Sequence, residues 1–205
     1  MGTAVLASGE GTILEAILGA SIDVVVVATD RPCRAVAIAA DAGTEAITLD
    51  RHDFGGFGTS FDRQGFTDAL VAELEARRVD LVSMAGFGTV LADSFFDAFG
   101  GRVLNTHPSL LPAFRGWHAV RDALEAGATT TGCTVHLATE QLDDGPILRQ
   151  ARVQIQPDDD EARLHERIKA VERQLYPDTI RAVLEALSRG EEPASIAPSV
   201  PEASR

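Results

Sequence analysis

The string Leu104-Asn105-Thr106-His107-Pro108-Ser109-Leu110-Leu111-Pro112 sets an amide and an imidazole two positions apart, at the end of a strand-like run. Strand side chains alternate between faces, so Asn105 and His107 are expected to share one. The amide can donate a hydrogen bond to an oxygen that gains negative charge. The imidazole can move a proton near neutral pH. Pro108 biases His107 toward extended backbone. A polar strand end in a loop would account for one histidine, but the full string is more specific than that. Farther along, Asp143-Asp144-Gly145-Pro146 reads by itself as a turn between two strands. Beside an Asn-x-His pair, the Asp143 carboxylate becomes a partner able to orient the imidazole and favour its charged form.

A second place for chemistry is the turn Ser8-Gly9-Glu10-Gly11-Thr12. Glycines let the backbone approach a phosphate, and the N–H groups of a helix start can hold it. A tight strand-to-helix turn with no ligand explains the same residues equally well. A complete dinucleotide fingerprint needs a third glycine where Leu14 stands, with Asp30 as the ribose acid. That leaves a nicotinamide-dependent oxidoreductase as a rival reading, one that gives Asn105, His107 and Asp143 nothing to do.

Strands are predicted over Thr3–Ala7, Ile22–Ala28, Ala46–Leu49, Asp80–Ala85 and Arg102–Thr106, and helices over about Thr12–Leu18, Cys33–Gly43 and Asp62–Arg77. Asp50–Phe61, rich in Gly, Asp and Phe, reads as a loop. This alternation predicts an α/β fold: a Rossmann-like, mostly parallel sheet with helices on both faces and ligands along one edge. Thr131–Thr139 and Pro146–Ile155 are expected to pair antiparallel near the C-terminal end. A helix opening at the acidic run Asp158–Glu161 is expected to reach about Ser188, with a disturbance at Pro177. Residues 1–189 would form the domain, and residues 190–205, with Pro193, Pro198 and Pro201, a mobile tail.

The chain has 205 residues, enough to bury one core without staples. With 45% hydrophobic and 24% charged residues, collagen-like, coiled-coil and wholly disordered chains are excluded. A net charge of −13 argues against a nucleic-acid partner. No apolar run reaches the roughly 18 residues that span a bilayer, and the N-terminus lacks the regions of a signal peptide, so a cytoplasmic protein without membrane contact is expected. Cys33 and Cys133 suggest neither a disulfide framework nor a zinc site, and no metal is expected. The long C-terminal helix and the edge strands leave a homodimer open.

Together the motifs resemble the phosphoribosylglycinamide formyltransferase family, folate-dependent enzymes of purine synthesis, and more widely the formyltransferase fold. The matching residues are Ser8-Gly9-x-Gly11, Ala85-Gly86-Phe87, the Asn105–Pro112 string, Gly116-x-His118 leading into Arg121-x-Ala123-Leu124, Gly132-x-x-Val135-His136, Leu142-Asp143-x-Gly145-Pro146, and Glu172 ahead of Tyr176-Pro177. They extend over roughly residues 3 to 187. The resemblance implies that Asn105, His107 and Asp143 are catalytic. It implies that Gly11, Thr12 and Ile13 hold a substrate phosphate, with Glu172 on the sugar-phosphate and Lys169 near the phosphate. It places Arg63 near the glutamate tail of the folate, and Gly88, Thr89, Val90 and Leu91 along the folate, with Asn105 beside it.

The chain departs from the usual family pattern at several points. Glu10 stands where a small or polar residue is usual, and Ile13 where Asn is frequent. Gly88-Thr89-Val90 replaces Met-Arg-Ile, Asp144 replaces Gly or Thr, and Phe114-Arg115-Gly116 replaces Tyr-Pro-Gly. The implied reaction moves a formyl group from the cosubstrate 10-formyltetrahydrofolate to the amine of phosphoribosylglycinamide. A related formyltransferase acting on another small amine, such as an amino sugar nucleotide, and a catalytically inactive binding relative are the nearest rivals.

Both implied substrates are anions, while the chain carries a net charge of −13. Local positive charge from a helix N-terminus, Arg63 and Lys169 must therefore attract them. The KM values for both substrates are expected to rise with added salt, as screening weakens that attraction; a flat response between low and high salt would contradict it.

Overall fold

The computed structural model of the chain describes residues 1–198. Among them, Gly2–Ala7 (β1), Val24–Thr29 (β2), Ala46–Thr48 (β3), Val79–Met84 (β4) and Val103–His107 (β5) pair in parallel. Thr130–Leu137 (β6) runs antiparallel to β5, and Ile147–Gln154 (β7) antiparallel to β6. The sheet order is β3-β2-β1-β4-β5-β6-β7. The chain builds outward from β1 in one direction, then returns to its other side with β4. Such a reversal opens a crevice at the carboxyl ends of the strands, where ligands bind in sheets of this kind.

The helices are Thr12–Gly19 (α1), Arg34–Asp41 (α2), Arg63–Ala76 (α3), Asp93–Phe99 (α4), Ala119–Glu125 (α5) and Glu161–Ser188 (α6). Along β1, Val5 and Ala7 enter one apolar layer with Leu14 and Ile17 of α1 and Tyr176, Ile180 and Val183 of α6. Ala4 and Leu6 enter the opposite layer with Phe66, Leu70 and Leu74 of α3 and Phe95 and Phe99 of α4. The strand is thus apolar at consecutive positions because both of its faces are covered. In β5, Val103 belongs to the α3/α4 layer and Leu104 to the α6 layer. Continued alternation sends Asn105 and His107 toward the α3/α4 side and Thr106 toward α6.

The expected strands and helices all form, with ends displaced by one or two residues. Two short helices, α4 and α5, lie where no element was expected; at seven residues each, they are too brief to show a clear period. The Asp50–Phe61 loop contains a 3-10 turn at Arg51–Phe54, started by the Asp50 side chain accepting from the His52 N–H. The expected disturbance at Pro177 does not interrupt α6. Tyr176, Thr179, Ile180 and Val183 around it are buried, and packing of that stretch outweighs the one main-chain bond a proline cannot make. Asp160 caps the start of α6 by accepting from the Arg163 N–H at 2.8 Å.

Residues 190–198 of the expected tail carry a 3-10 turn at Pro193–Ile196, and Pro193 is buried. Pro201 and the rest of 199–205 lie outside the described residues. No helix among the described residues is long and apolar enough to cross a membrane.

Tyr176 anchors α6 to the functional end of the sheet. Its hydroxyl lies 2.9 Å from the Leu104 carbonyl and 3.1 Å from that of Met84, the last residue of β4. Burial pushes its pKa well above the ordinary value, so the phenol remains a donor. Tyr176→Phe leaves these buried carbonyls without that donor and is expected to destabilise the protein by about 1–3 kcal/mol. An unchanged urea midpoint for the variant would show that the contact contributes nothing.

Candidate active site

Strand register sets the first contact. Asn105 of β5 lies directly opposite His136 of β6, and His107 opposite Thr134. Cross-strand neighbours share a face, so the β6 side chains meet the two β5 side chains. The His136 Nδ1 lies 2.9 Å from the Leu137 carbonyl, an acceptor only, so this nitrogen carries the proton. Burial holds the ring neutral by lowering its pKa below the ordinary 6.5. The bare Nε2 then accepts from the Asn105 amide nitrogen at 3.3 Å. One amide N–H is thereby committed to His136, which leaves the second N–H and the carbonyl oxygen to face a ligand.

His107 is gripped from both ends. Its Nε2 donates to the Phe114 carbonyl at 2.8 Å, and its Nδ1 lies 3.3 Å from Asp143 Oδ2. An imidazolium satisfies both contacts at once. Phe114 (φ 52°) and Asp143 (φ 54°) are both left-handed, a conformation that costs a non-glycine residue roughly 1–2 kcal/mol. These two unusual backbone positions deliver the two oxygens that face the ring, as expected of conformational cost concentrated at a working site. Asp143 Oδ2 also accepts from the Gly116 N–H at 2.9 Å, and Asp143 Oδ1 is 3.8 Å from His136 Nε2. His107 and Asp143 are both buried.

The loop after His107 is tied down. Thr134 Oγ1 donates to the Ser109 carbonyl and accepts from the Leu111 N–H, and Gln150 Nε2 donates to both Thr134 Oγ1 and the Leu111 carbonyl. These bonds run from β6 and β7, so the antiparallel edge braces the end of β5.

A cavity of about 480 Å³ opens at the strand ends and brings together Asn105, His107, Asp143, Gly88, Thr89, Val90 and Leu91, with Ser8, Gly9 and Arg31 on its wall. The Gly88 N–H donates to Ser8 Oγ at 2.8 Å, and Thr89 Oγ1 donates to Asp30 Oδ2 at 2.6 Å. Arg31 holds Asp30 through Nε at 2.9 Å and Nη2 at 2.8 Å. Burial pushes the Asp30 pKa up, but the hydrogen bonds from Arg31, Thr89 and Ser8 outweigh it and keep the carboxyl below its ordinary value. Both Asp30 oxygens are occupied and the residue is fully buried. It cannot take a ribose, which removes the support for the nicotinamide reading.

The remaining expected residues are spread more widely. Gly11 (φ 73°) is the N-cap of α1, and a Cβ there would meet Ile38 Cδ1 of α2 at 2.5 Å. The left-handed backbone favours glycine, and a Cβ would also press on the tip of the Ile38 side chain. Thr12 begins α1, and the Ile13 side chain is buried in the core, so at Ile13 only the backbone N–H is available to a ligand. Gly11, Thr12 and Ile13 are not on the cavity wall, whereas the adjoining Ser8 and Gly9 are. The Glu10 carbonyl accepts from Arg34 Nη1 at 3.0 Å, which brings positive charge to the same turn.

Glu172 is buried and off the cavity wall, and burial raises its pKa above the ordinary carboxylate value. Lys169 is off the wall, its Nζ donating to Glu166 at 3.1 Å. Arg63, the first residue of α3, is exposed and also off the wall. The arginine on the wall is Arg31, which sequence reasoning passed over. His136 was noted only within a motif. Its place opposite Asn105 depends on the β5/β6 register, which local patterning does not reveal. No group of three or more His, Cys, Asp or Glu side chains among the described residues could hold a metal ion.

Chemically, the cavity offers an amide donor of fixed orientation beside an imidazole backed by a carboxylate, the equipment for stabilising an oxyanion and moving a proton. Comparison with known proteins agrees with that equipment. Residues 1–180 match the formyl transferase family model. A phosphoribosylglycinamide formyltransferase of Mycobacterium tuberculosis is 44% identical over 184 residues, covering 87% of this chain and 83% of that protein. The glycinamide ribonucleotide transformylase 1 structure from Symbiobacterium toebii superimposes with a TM-score of 0.80 at 39% identity, over 87% of this chain and 84% of that one. The phosphoribosylglycinamide formyltransferase structure from Bacillus halodurans gives 0.82 at 32% identity, over 93% and 97%. The sheet with its antiparallel edge, the strand-end triad and these likenesses lead to one assignment: the chain belongs to the formyl transferase family, among the phosphoribosylglycinamide formyltransferases.

Proposed function

We propose that the chain transfers a formyl group from 10-formyltetrahydrofolate to the primary amine of 5-phosphoribosylglycinamide, a step of purine synthesis. The observation that carries this reading is the convergence of Asn105, His107 and Asp143 on one cavity at the carboxyl ends of the strands. The glycine turn and the first N–H groups of α1 receive the phosphate, helped by Arg34 beside Glu10. Glu172 serves the sugar end. The folate lies along Gly88–Leu91. Its acidic tail would have to leave the cavity to reach Arg63.

The substrate amine attacks the formyl carbon, and the carbonyl oxygen becomes an oxyanion. The free N–H of Asn105 donates to that oxygen. A preorganised donor of this kind contributes on the order of 3 kcal/mol, because it is aimed before the charge appears. The attacking amine must lose a proton and the departing folate nitrogen must gain one. His107 relays it. Its Nε2–H is committed to Phe114, which leaves Nδ1 as the nitrogen that exchanges a proton, with Asp143 beside it. The products are the formylated amine and tetrahydrofolate, so atoms and charge balance without a covalent intermediate.

Asn105→Ala and His107→Ala are each expected to lower kcat by about 100-fold or more while leaving the unfolding midpoint near that of the parent. His136→Phe removes the acceptor that orients the Asn105 amide and should lower kcat by a smaller factor. Steady-state formyl transfer, followed by loss of formyl-folate, reads all three. Near-normal turnover in Asn105→Ala or His107→Ala would remove that residue from the mechanism.

A further inference from the structure

Two departures from the usual family pattern meet in space. Arg115 stands where that pattern has Pro, and Asp144 where it has Gly or Thr. Arg115 Nη2 lies 2.5 Å from Asp144 Oδ1. Pro, Gly and Thr carry no charge, so each new charge finds its partner at the other new position. The two side chains are 47% and 40% exposed, and neither residue is on the cavity wall. An ion pair this open to water usually shifts an equilibrium by no more than about fivefold. Leverage comes from the segments that it joins.

Arg115 follows Phe114, whose carbonyl accepts from His107 Nε2 at 2.8 Å. Asp144 follows Asp143, whose Oδ2 lies 3.3 Å from His107 Nδ1. The pair therefore bridges the two loops that hold the imidazole, one residue beyond each contact. Phe114 (φ 52°) and Asp143 (φ 54°) are both left-handed, so each contact rests on backbone that relaxes if released. In the same junction, the Gly116 N–H donates to Asp143 Oδ2 at 2.9 Å. The ion pair adds a second tie, between exposed side chains. Position 115 needs such a tie more here than in the family pattern, because an arginine leaves φ free where a proline fixes it.

We propose that Arg115 and Asp144 are a positioning pair, whose ion pair latches the loop at 114–116 to the turn at Asp143 and so keeps both nitrogens of His107 engaged. Neither residue lies where the reacting atoms meet; the latch acts through His107. Its effect on turnover rests on the formyl-transfer reading above, whereas its hold on the imidazole does not. A looser junction leaves His107 part of the time without Phe114 or Asp143. Turnover then falls while binding of the sugar-phosphate is unchanged.

The test is a double-mutant cycle in the full chain: Arg115→Ala, Asp144→Ala, both together, and the charge swap Arg115→Asp with Asp144→Arg. Each single alanine variant is expected to lower kcat about threefold. The double variant should lose no more than either single one, because the two residues share one interaction. The swap should recover most of the loss. The KM for phosphoribosylglycinamide should stay unmoved throughout, and so should the unfolding midpoint. A second readout needs no turnover: exchange of the His107 Nε2 proton with water, followed by nitrogen-15 NMR. It should quicken about threefold in each alanine variant and slow again in the swap. Parent-like kcat in the single variants, or a double loss equal to the product of the single ones, would overturn the latch. So would a kcat loss that only tracks a fall in the unfolding midpoint, which would make the pair a stability contact. If the parent transfers no formyl group but the exchange rates follow the cycle, the latch stands and the formyl-transfer reading fails. If neither readout follows the cycle in an active parent, the latch fails and that reading stands.

Discussion

The neutral ring of His136 and the amide of Asn105 form the contact on which the site depends. An amide rotates freely about its last side-chain bond and presents either its oxygen or its nitrogen to a ligand. Here the choice is made by a bare imidazole nitrogen 3.3 Å away, kept bare by burial and by the Nδ1–H bond to Leu137. That arrangement exists because β6 runs antiparallel to β5 in a register that puts the two residues opposite one another. The same register places Thr134 against His107 and lets β6 fasten the following loop. The change from parallel to antiparallel strands at this edge thus organises the reacting groups.

Electrostatics follows a similar economy. The chain is strongly acidic, and both proposed substrates are anions. Three arginines lie near the strand ends, while others such as Arg77, Arg121, Arg163, Arg167, Arg181 and Arg189 are paired with carboxylates elsewhere. Arg31 is bound to Asp30, Arg34 to the glycine turn and Glu15, and Arg51 to Thr89 and two phenylalanine rings. Asp30 is costly to bury as an anion, and three donors make it tolerable. In return it fixes Thr89, and through it the segment that lines the cavity.

The α/β class, the parallel strands and the C-terminal antiparallel pair were legible because strand and helix periods differ, and because the buried strands are continuous runs of apolar residues. Asn105, His107 and Asp143 were legible because their types are unusual at a strand end and a turn. The structure brings those three together, with the Gly88–Leu91 segment beside them. Arg63 and Lys169 do not reach the cavity wall: a helix-surface position says nothing about how far a long side chain extends. Arg31 and His136 escaped notice for the opposite reason. Their importance comes from partners distant in sequence, Thr89 linked through Asp30 in one case and Asn105 in the other. Such pairs appear only once the register and crossovers are set.

The bonds from Ser8 to Gly88 and from Asp30 to Thr89 join the turn after the first strand to the loop after the fourth. In the proposed reaction one loop faces the acceptor and the other the donor of the one-carbon unit. Two side-chain hydrogen bonds stitch them along this seam. Any drift in sequence that re-aims one substrate's berth must re-aim the other, so a change of acceptor would demand paired adjustments on both sides of the cleft.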